Sequence, residues 1–246
     1  MFSRKYKLFR LMGFEVGIDP SWVVLAVLVA WSLSTGYFPF KYQALSAQSH
    51  WLMGIVGAGG LFASIVAHEF CHSLVARRRG MPMEGITLFI FGGVAEMHDE
   101  PPGAADEFLI AVVGPLSSFG MAAIFYGFYR LGEFSGWATT VTGVMGYLAM
   151  INMLLAVFNL IPAFPLDGGR ILRAALWGWK KNLKRATRIA ARIGEGFGIL
   201  LIILGVVRVI NGFFIGGMWF FLIGLFIQNA AKMSYQQLLT RRALEG

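Results

Sequence analysis

Charge is scarce in this sequence. Only 14% of its 246 residues are Asp, Glu, Lys or Arg, against 57% hydrophobic residues. A soluble domain of this length has more surface than so few charges can solvate. Acidic residues are the scarcer sign, 13 against 21 basic ones. The single cysteine, Cys71, excludes an internal disulfide and says little about redox compartment. A cleavable signal peptide is not expected: after the basic start Ser3-Arg4-Lys5-Tyr6-Lys7 the first apolar block runs to a full span and lacks a small-residue cleavage site. No internal repeat or low-complexity tract stands out.

What is abundant is apolar residues in long blocks, several of which reach the ~20 needed to cross a bilayer as a helix. The net charge of +8 does not point to nucleic acid, because the basic residues sit in clusters between those blocks, as topology signals do. The expected fold is an all-α polytopic membrane protein of about six transmembrane helices with a small membrane-associated β element. The spans are expected at Pro20 to Phe38, Leu52 to Ala76, Glu107 to Tyr129, Trp137 to Ile161, Gly196 to Ile210 and Phe214 to Ala231. Arg4, Lys5, Lys7 and Arg10 precede the first, Arg77, Arg78 and Arg79 end the second, and Lys180 to Arg192 follows the fourth. Arg241 and Arg242 close the chain. Lys41, Arg130 and Arg208 are the few basic residues on the other side. The positive-inside rule then places both termini in the cytoplasm of a cell-membrane protein.

The chain is expected to form one membrane-embedded domain, residues 1–246, with a core at about 52–170. A basic cytoplasmic segment at about 171–195 and C-terminal helices at about 196–235 complete it. The basic run Lys180 to Arg192, carrying Leu183 and Ile189, reads as an amphipathic helix on anionic lipid. Gly54, Gly57, Gly59, Gly60, Ala63, Ser64 and Ala67 give the second span small faces suited to close helix packing. Residues Met81 to Met97 differ. The β-prone Gly85-Ile86-Thr87-Leu88-Phe89-Ile90-Phe91 and the following Gly92-Gly93 read as a hairpin-like element at the cytoplasmic rim, too short to span. Its edges must be covered by protein or offered to a partner strand, since lipid does not satisfy them.

The second span carries His68-Glu69-Phe70-Cys71-His72. Residues four apart share a helix face, so both imidazoles reach one metal ion, and Glu69 beside them can take a proton from metal-activated water. The steep cost of ionisable groups in a bilayer favours this over histidines that merely hydrogen-bond across helices. If the boundary lies at Arg77, His68 sits about 13 Å inside along the axis. A catalytic zinc usually takes a third protein ligand. The stretch Asn159-Leu160-Ile161-Pro162-Ala163-Phe164-Pro165-Leu166-Asp167-Gly168-Gly169 breaks the fourth helix at its prolines and offers Asp167. Alone, Asp167 would read as a helix cap; beside buried histidines the metal role is favoured. Cys71 points about 100° from its neighbours and reads as packing. His50 and His98 read as solvated loop residues, and Arg208 as a snorkelling side chain.

Together these two segments resemble the site-2 protease family of intramembrane metalloproteases, and Phe91-Gly92-Gly93 and Gly114-Pro115-Leu116 match further motifs of it. The resemblance covers roughly the second to fourth spans. It implies zinc held by His68, His72 and Asp167, Glu69 as general base, and Asn159 holding substrate or the transition-state oxygen. It also implies that the rim element with Gly92 and Gly93 pairs with an unwound substrate segment. The partners implied are membrane proteins with a transmembrane helix, the lipid bilayer and a regulatory membrane protein. Ser118 departs from the family's frequent Asn, which puts that position's role in doubt. Members with a stretch similar to Glu100-Pro101 through Ala111 commonly carry a C-terminal nucleotide-sensing domain. This chain ends soon after its sixth span and shows no PDZ insertion, so regulation by attached domains is not expected. The competing reading is a zinc transporter or metal-sensing membrane protein. Transporters tend to line a path with polar residues, whereas here the ionisable groups gather at one depth.

Overall fold

The computed structural model describes residues 6–81, 83–89, 92–97 and 100–244. Arg4, Lys5, Ile90, Phe91 and His98, named above, lie outside the described residues. The elements in chain order are β1 (Tyr6–Leu11), β2 (Phe14–Ile18), α1 (Ser21–Ser32), a π-helical turn (Leu33–Tyr37) and α2 (Phe38–Lys41). Then come α3 (Ala47–Arg78), β3 (Met83–Phe89), β4 (Gly92–Met97), α4 (Ala104–Phe134) and α5 (Thr139–Asn159). The last three are α6 (Asp167–Lys180), α7 (Leu183–Ile210) and α8 (Phe214–Leu244). Among the described residues, six helical stretches are long and apolar enough to cross a membrane: 21–41, 47–78, 104–134, 139–159, 183–210 and 214–236. The chain is a multi-pass membrane protein, as expected. It groups into two compact units, residues 1–99 with 113–156, and residues 100–112 with 157–246.

In the first unit, a four-stranded sheet in the order β1-β2-β3-β4 replaces the lone hairpin of the sequence reading. β1 and β2 form an N-terminal hairpin, and β2 runs parallel to β3 with Glu15 opposite Gly85 and Ile18 opposite Leu88. One edge of the rim element is therefore covered by the chain's own β2. A Cβ at Gly85 would fall on the Glu15 carbonyl oxygen, which explains glycine there. The hairpin grips α3: Phe14 is buried, meets Phe70 edge-on at 5.6 Å, and carries the Arg77 guanidinium over its ring. Arg77 Nη1 also donates to the Met12 carbonyl at 2.7 Å.

α3 is capped by Ser46, whose hydroxyl accepts from Ser49 N. Three of its glycines, Gly54, Gly57 and Gly60, make the close approaches expected of them. A Cβ at Gly54 would crowd Ala30 O at 2.9 Å, one at Gly57 would reach Tyr147 at 3.3 Å, and one at Gly60 would reach Leu148 at 2.6 Å. Gly59 faces open space. His50 is not a solvated loop residue: it lies on α3, buried, with Nε2 2.9 Å from the Tyr42 carbonyl. Burial of its ring is made tolerable by that partner.

In the second unit, Asn182 caps α7 by accepting from Arg185 N at 2.9 Å. The helix then runs unbroken to Ile210, so the fifth span starts at Leu183 rather than Gly196. The basic run is thus split: Lys180 and Lys181 close α6, and Lys184 to Arg192 form the first turns of α7 rather than a separate surface helix. α7 and α8 pack backbone to backbone. Gly198 and Gly205 face Gly224 and Gly217, and a Cβ at Gly205 would lie 2.8 Å from the Gly217 carbonyl oxygen. Small residues at such spacing let spanning helices approach closely where lipid supplies no hydrophobic drive.

Candidate metal centre

The site starts from helix period. His68 and His72, one turn apart on α3, are both buried, and their Nε2 atoms lie 3.1 Å apart. Their rings stand nearly perpendicular, centroids 4.8 Å apart. Both imidazoles press against Gly114 of α4: a Cβ there would strike His72 Nε2 and lie 2.6 Å from His68 Nε2. Only glycine leaves room for the histidines and whatever they bind.

One turn further along α4, Ser118 is fully buried and its hydroxyl lies 2.9 Å from His68 Nδ1. With Nδ1 donating to that oxygen, the lone pair of His68 is left on Nε2, the nitrogen turned toward His72. The sequence left Ser118 in doubt; the structure gives it this contact.

Asp167 is the first residue of α6, where a helix N-terminus favours a carboxylate. The turn before it is tight: a Cβ at Gly168 would collide with the Leu160 and Ile161 carbonyl oxygens, and one at Gly169 would lie 2.5 Å from the Ala163 carbonyl carbon. Asp167, like the two histidines, is buried. Four-coordinate zinc with arms of roughly 2.0–2.2 Å needs donors about 3.3 Å apart. The 3.1 Å between the imidazole nitrogens falls a few tenths of an ångström short of that separation, within reach of a small ring movement, and two nitrogens with one carboxylate is an ordinary donor set for zinc.

The remaining candidates are placed as follows. Glu69 is half-buried on α3, and its carbonyl oxygen accepts from Ser73 Oγ at 3.0 Å. Asn159 ends α5, half-buried. Gly92 and Gly93 begin β4 opposite Phe89 and Leu88. Cys71 is free and half-buried. The sequence reading missed two buried polar sets. Asn152, wholly buried on α5, donates to Ser64 Oγ at 3.0 Å and to Leu148 O at 2.8 Å. Arg173 and Glu107 form an ion pair in which both side chains are out of solvent. For Glu107 a signal exists: it is an acidic residue at the head of the apolar block that begins Phe108-Leu109-Ile110.

The chain is similar along most of its length to proteins from several organisms. A Synechocystis protein provisionally named zinc metalloprotease sll0528 is 37% identical over 96% of this chain and 61% of its own length. Rip3 of Mycobacterium tuberculosis, provisionally named a zinc metalloprotease too, is 38% identical over 96% of this chain and 60% of its own. The chain thus spans about three fifths of these curated relatives. The solved structure of the site-2 protease from Methanocaldococcus jannaschii superposes with a TM-score of 0.64 at 28% identity, covering 94% of each chain. The family model of Peptidase family M50 matches residues 56–134 and 131–203, taking in the histidine helix, the Gly114–Ser118 turn and the Asp167 loop. A buried histidine pair, a glycine that makes room for it, and a pattern spanning more than half of the sequence have one common explanation: the chain belongs to peptidase family M50, the site-2 proteases.

Proposed function

We propose that the chain is an intramembrane zinc endopeptidase hydrolysing peptide bonds in or near the transmembrane segments of other membrane proteins. In this reading residues 1–246 work as one protease domain. The observation that carries it is the pair of buried imidazoles, His68 and His72, with Nε2 atoms 3.1 Å apart on a helix long and apolar enough to span a membrane. Relatives named as zinc metalloproteases support zinc as the metal. The transporter reading gains no support from the family or the relatives.

His68 and His72 would hold zinc through Nε2 and Asp167 through its carboxylate. Zinc supplies Lewis-acid chemistry, lowering the pKa of water towards ~7 and polarising a carbonyl. Glu69 takes the proton of the attacking water and later delivers it to the leaving amine. Asn159 donates to the developing oxyanion. Ser118 keeps His68 in the tautomer that presents Nε2. A substrate helix unwinds before its carbonyl is presented, and the unwound segment pairs with the rim sheet at Gly92-Gly93. The strand order supports this, with β4 at the edge of the sheet. The clustered basic residues support a cell-membrane location with both termini cytoplasmic, where a regulatory membrane protein has access.

The test uses the full chain in detergent with single-span membrane proteins. Cleavage is expected to stop on zinc chelation and return on zinc addition. Glu69→Gln is expected to retain zinc but lose about 10²- to 10⁴-fold in rate; wild-type cleavage by that variant would overturn the base assignment. Zinc accumulation in sealed vesicles, without cleavage, would instead establish transport.

A further inference from the structure

Within the second unit, α6 is pinned by a charged contact that the proposed chemistry does not use. Arg173 is 6% exposed and Glu107 not at all. Arg173 Nε donates to Glu107 Oε1 at 2.5 Å, and Nη2 bonds the same oxygen. Nη2 also lies 3.3 Å from Glu100 Oε2. The guanidinium carbon also lies over the Phe164 ring, 5.2 Å from its centroid.

Phe164 belongs to the loop that leads into Asp167. Its amide donates to the Ala190 carbonyl at 3.3 Å, its own carbonyl sits where a Cβ at Gly194 would go, and it is buried. One side chain therefore holds two things: the helix that begins with Asp167, and the loop that delivers it. Arg173 stands six residues after Asp167, about 9 Å along the same helix axis. A shift of α6 by a fraction of that distance would move the carboxylate out of ligand range.

A buried ion pair is an expensive way to hold helices together. Apolar residues of similar volume usually do as well or better, and a charge left alone after losing its partner is strongly unfavourable. Its presence makes sense where direction matters, because a planar guanidinium bonded through two nitrogens to one carboxylate oxygen and set over a ring is held in its orientation from two sides. We propose that Arg173, anchored by Glu107, is a positioning residue that fixes the first turn of α6 and with it the Asp167 carboxylate. This rests on the reading of Asp167 as a metal ligand.

The test is cobalt(II) binding to the full chain in detergent, followed by the visible absorption of the bound ion and by its affinity. Cleavage is not the readout. The wild type is expected to give a low-coordinate spectrum that Asp167→Ala alters. Arg173→Met and Glu107→Gln are expected to weaken cobalt affinity about 10- to 100-fold and to shift the bands with Asp167 still present. Arg173→Lys is expected to recover part of the affinity. The double variant Glu107→Met with Arg173→Met removes both charges, so it is expected to fold yet keep the weakened affinity. Wild-type spectrum and affinity in Arg173→Met, or in the double variant if the single one does not fold, would overturn the inference while leaving the metal centre intact. If Asp167→Ala binds cobalt as the wild type does, the metal reading itself falls, and the inference with it.

Discussion

Ser118 reaches His68 with a single hydroxyl, where many members of the family carry an amide. The contact is buried on both sides, so removing the hydroxyl takes away a buried hydrogen bond at Nδ1. Ser118→Ala is expected to lower zinc affinity about 10- to 100-fold, with Ser118→Thr close to wild type, as read by zinc titration in detergent. A wild-type affinity in the alanine variant would remove Ser118 from the site. At this scale much was legible. The four-residue spacing of His68 and His72 forces a shared face, and the proline and glycine punctuation around Asp167 marked the break that delivers it. Arg173 was not legible, because a basic residue in a basic stretch gives no hint that Glu107, 66 positions earlier, is its partner.

Among the elements, the N-terminal hairpin escaped the sequence reading for two physical reasons. Its turn, Met12-Gly13, has both residues at positive φ, 47° and 90°, and methionine is a poor signal for that conformation. The irregular register between Lys7 and Phe9 also breaks the alternation expected of a strand. Yet the hairpin lies against the histidine helix through Phe14 and Phe70.

Glu15 helps to hold the hairpin together. It pairs with Lys7 Nζ at 2.6 Å and Arg10 Nη2 at 2.5 Å. Hydrogen bonds first from Lys7 and then from Arg10 hold its carboxyl below the ordinary 4.5. The contribution is therefore complete above the ordinary carboxylate range and is lost as pH falls through the lowered value. Amide-exchange protection of β1 and β2 is expected to stay flat down to about pH 4.5 and to decline below it. Glu15→Gln is expected to flatten that dependence, and an unchanged acid decline would assign it elsewhere.

For the molecule as a whole, hydropathy gave the number of spans because the bilayer demands a length of apolar helix that few other structures need. It misplaced the start of the fifth helix, since four basic residues over the first turns of α7, Lys184, Arg185, Arg188 and Arg192, lower the local hydropathy without breaking the helix. The grouping into two units was not legible at all. Their boundaries pass through the continuous helices α4 and α5, where no linker composition marks them.

The parallel ladder between β2 and β3 carries a topological consequence. Strands that exchange backbone hydrogen bonds cannot stand on opposite faces of a bilayer. Between Ile18 and Met83 lie two helical stretches long and apolar enough to cross, 21–41 and 47–78. Pairing thus demands an even number of crossings in that interval, whatever the flanking charges say. Cysteines introduced at Met12 and at Gly103 should therefore react with a membrane-impermeant thiol reagent from the same face of sealed vesicles. Labelling from opposite faces would mean that one of the two helices does not cross.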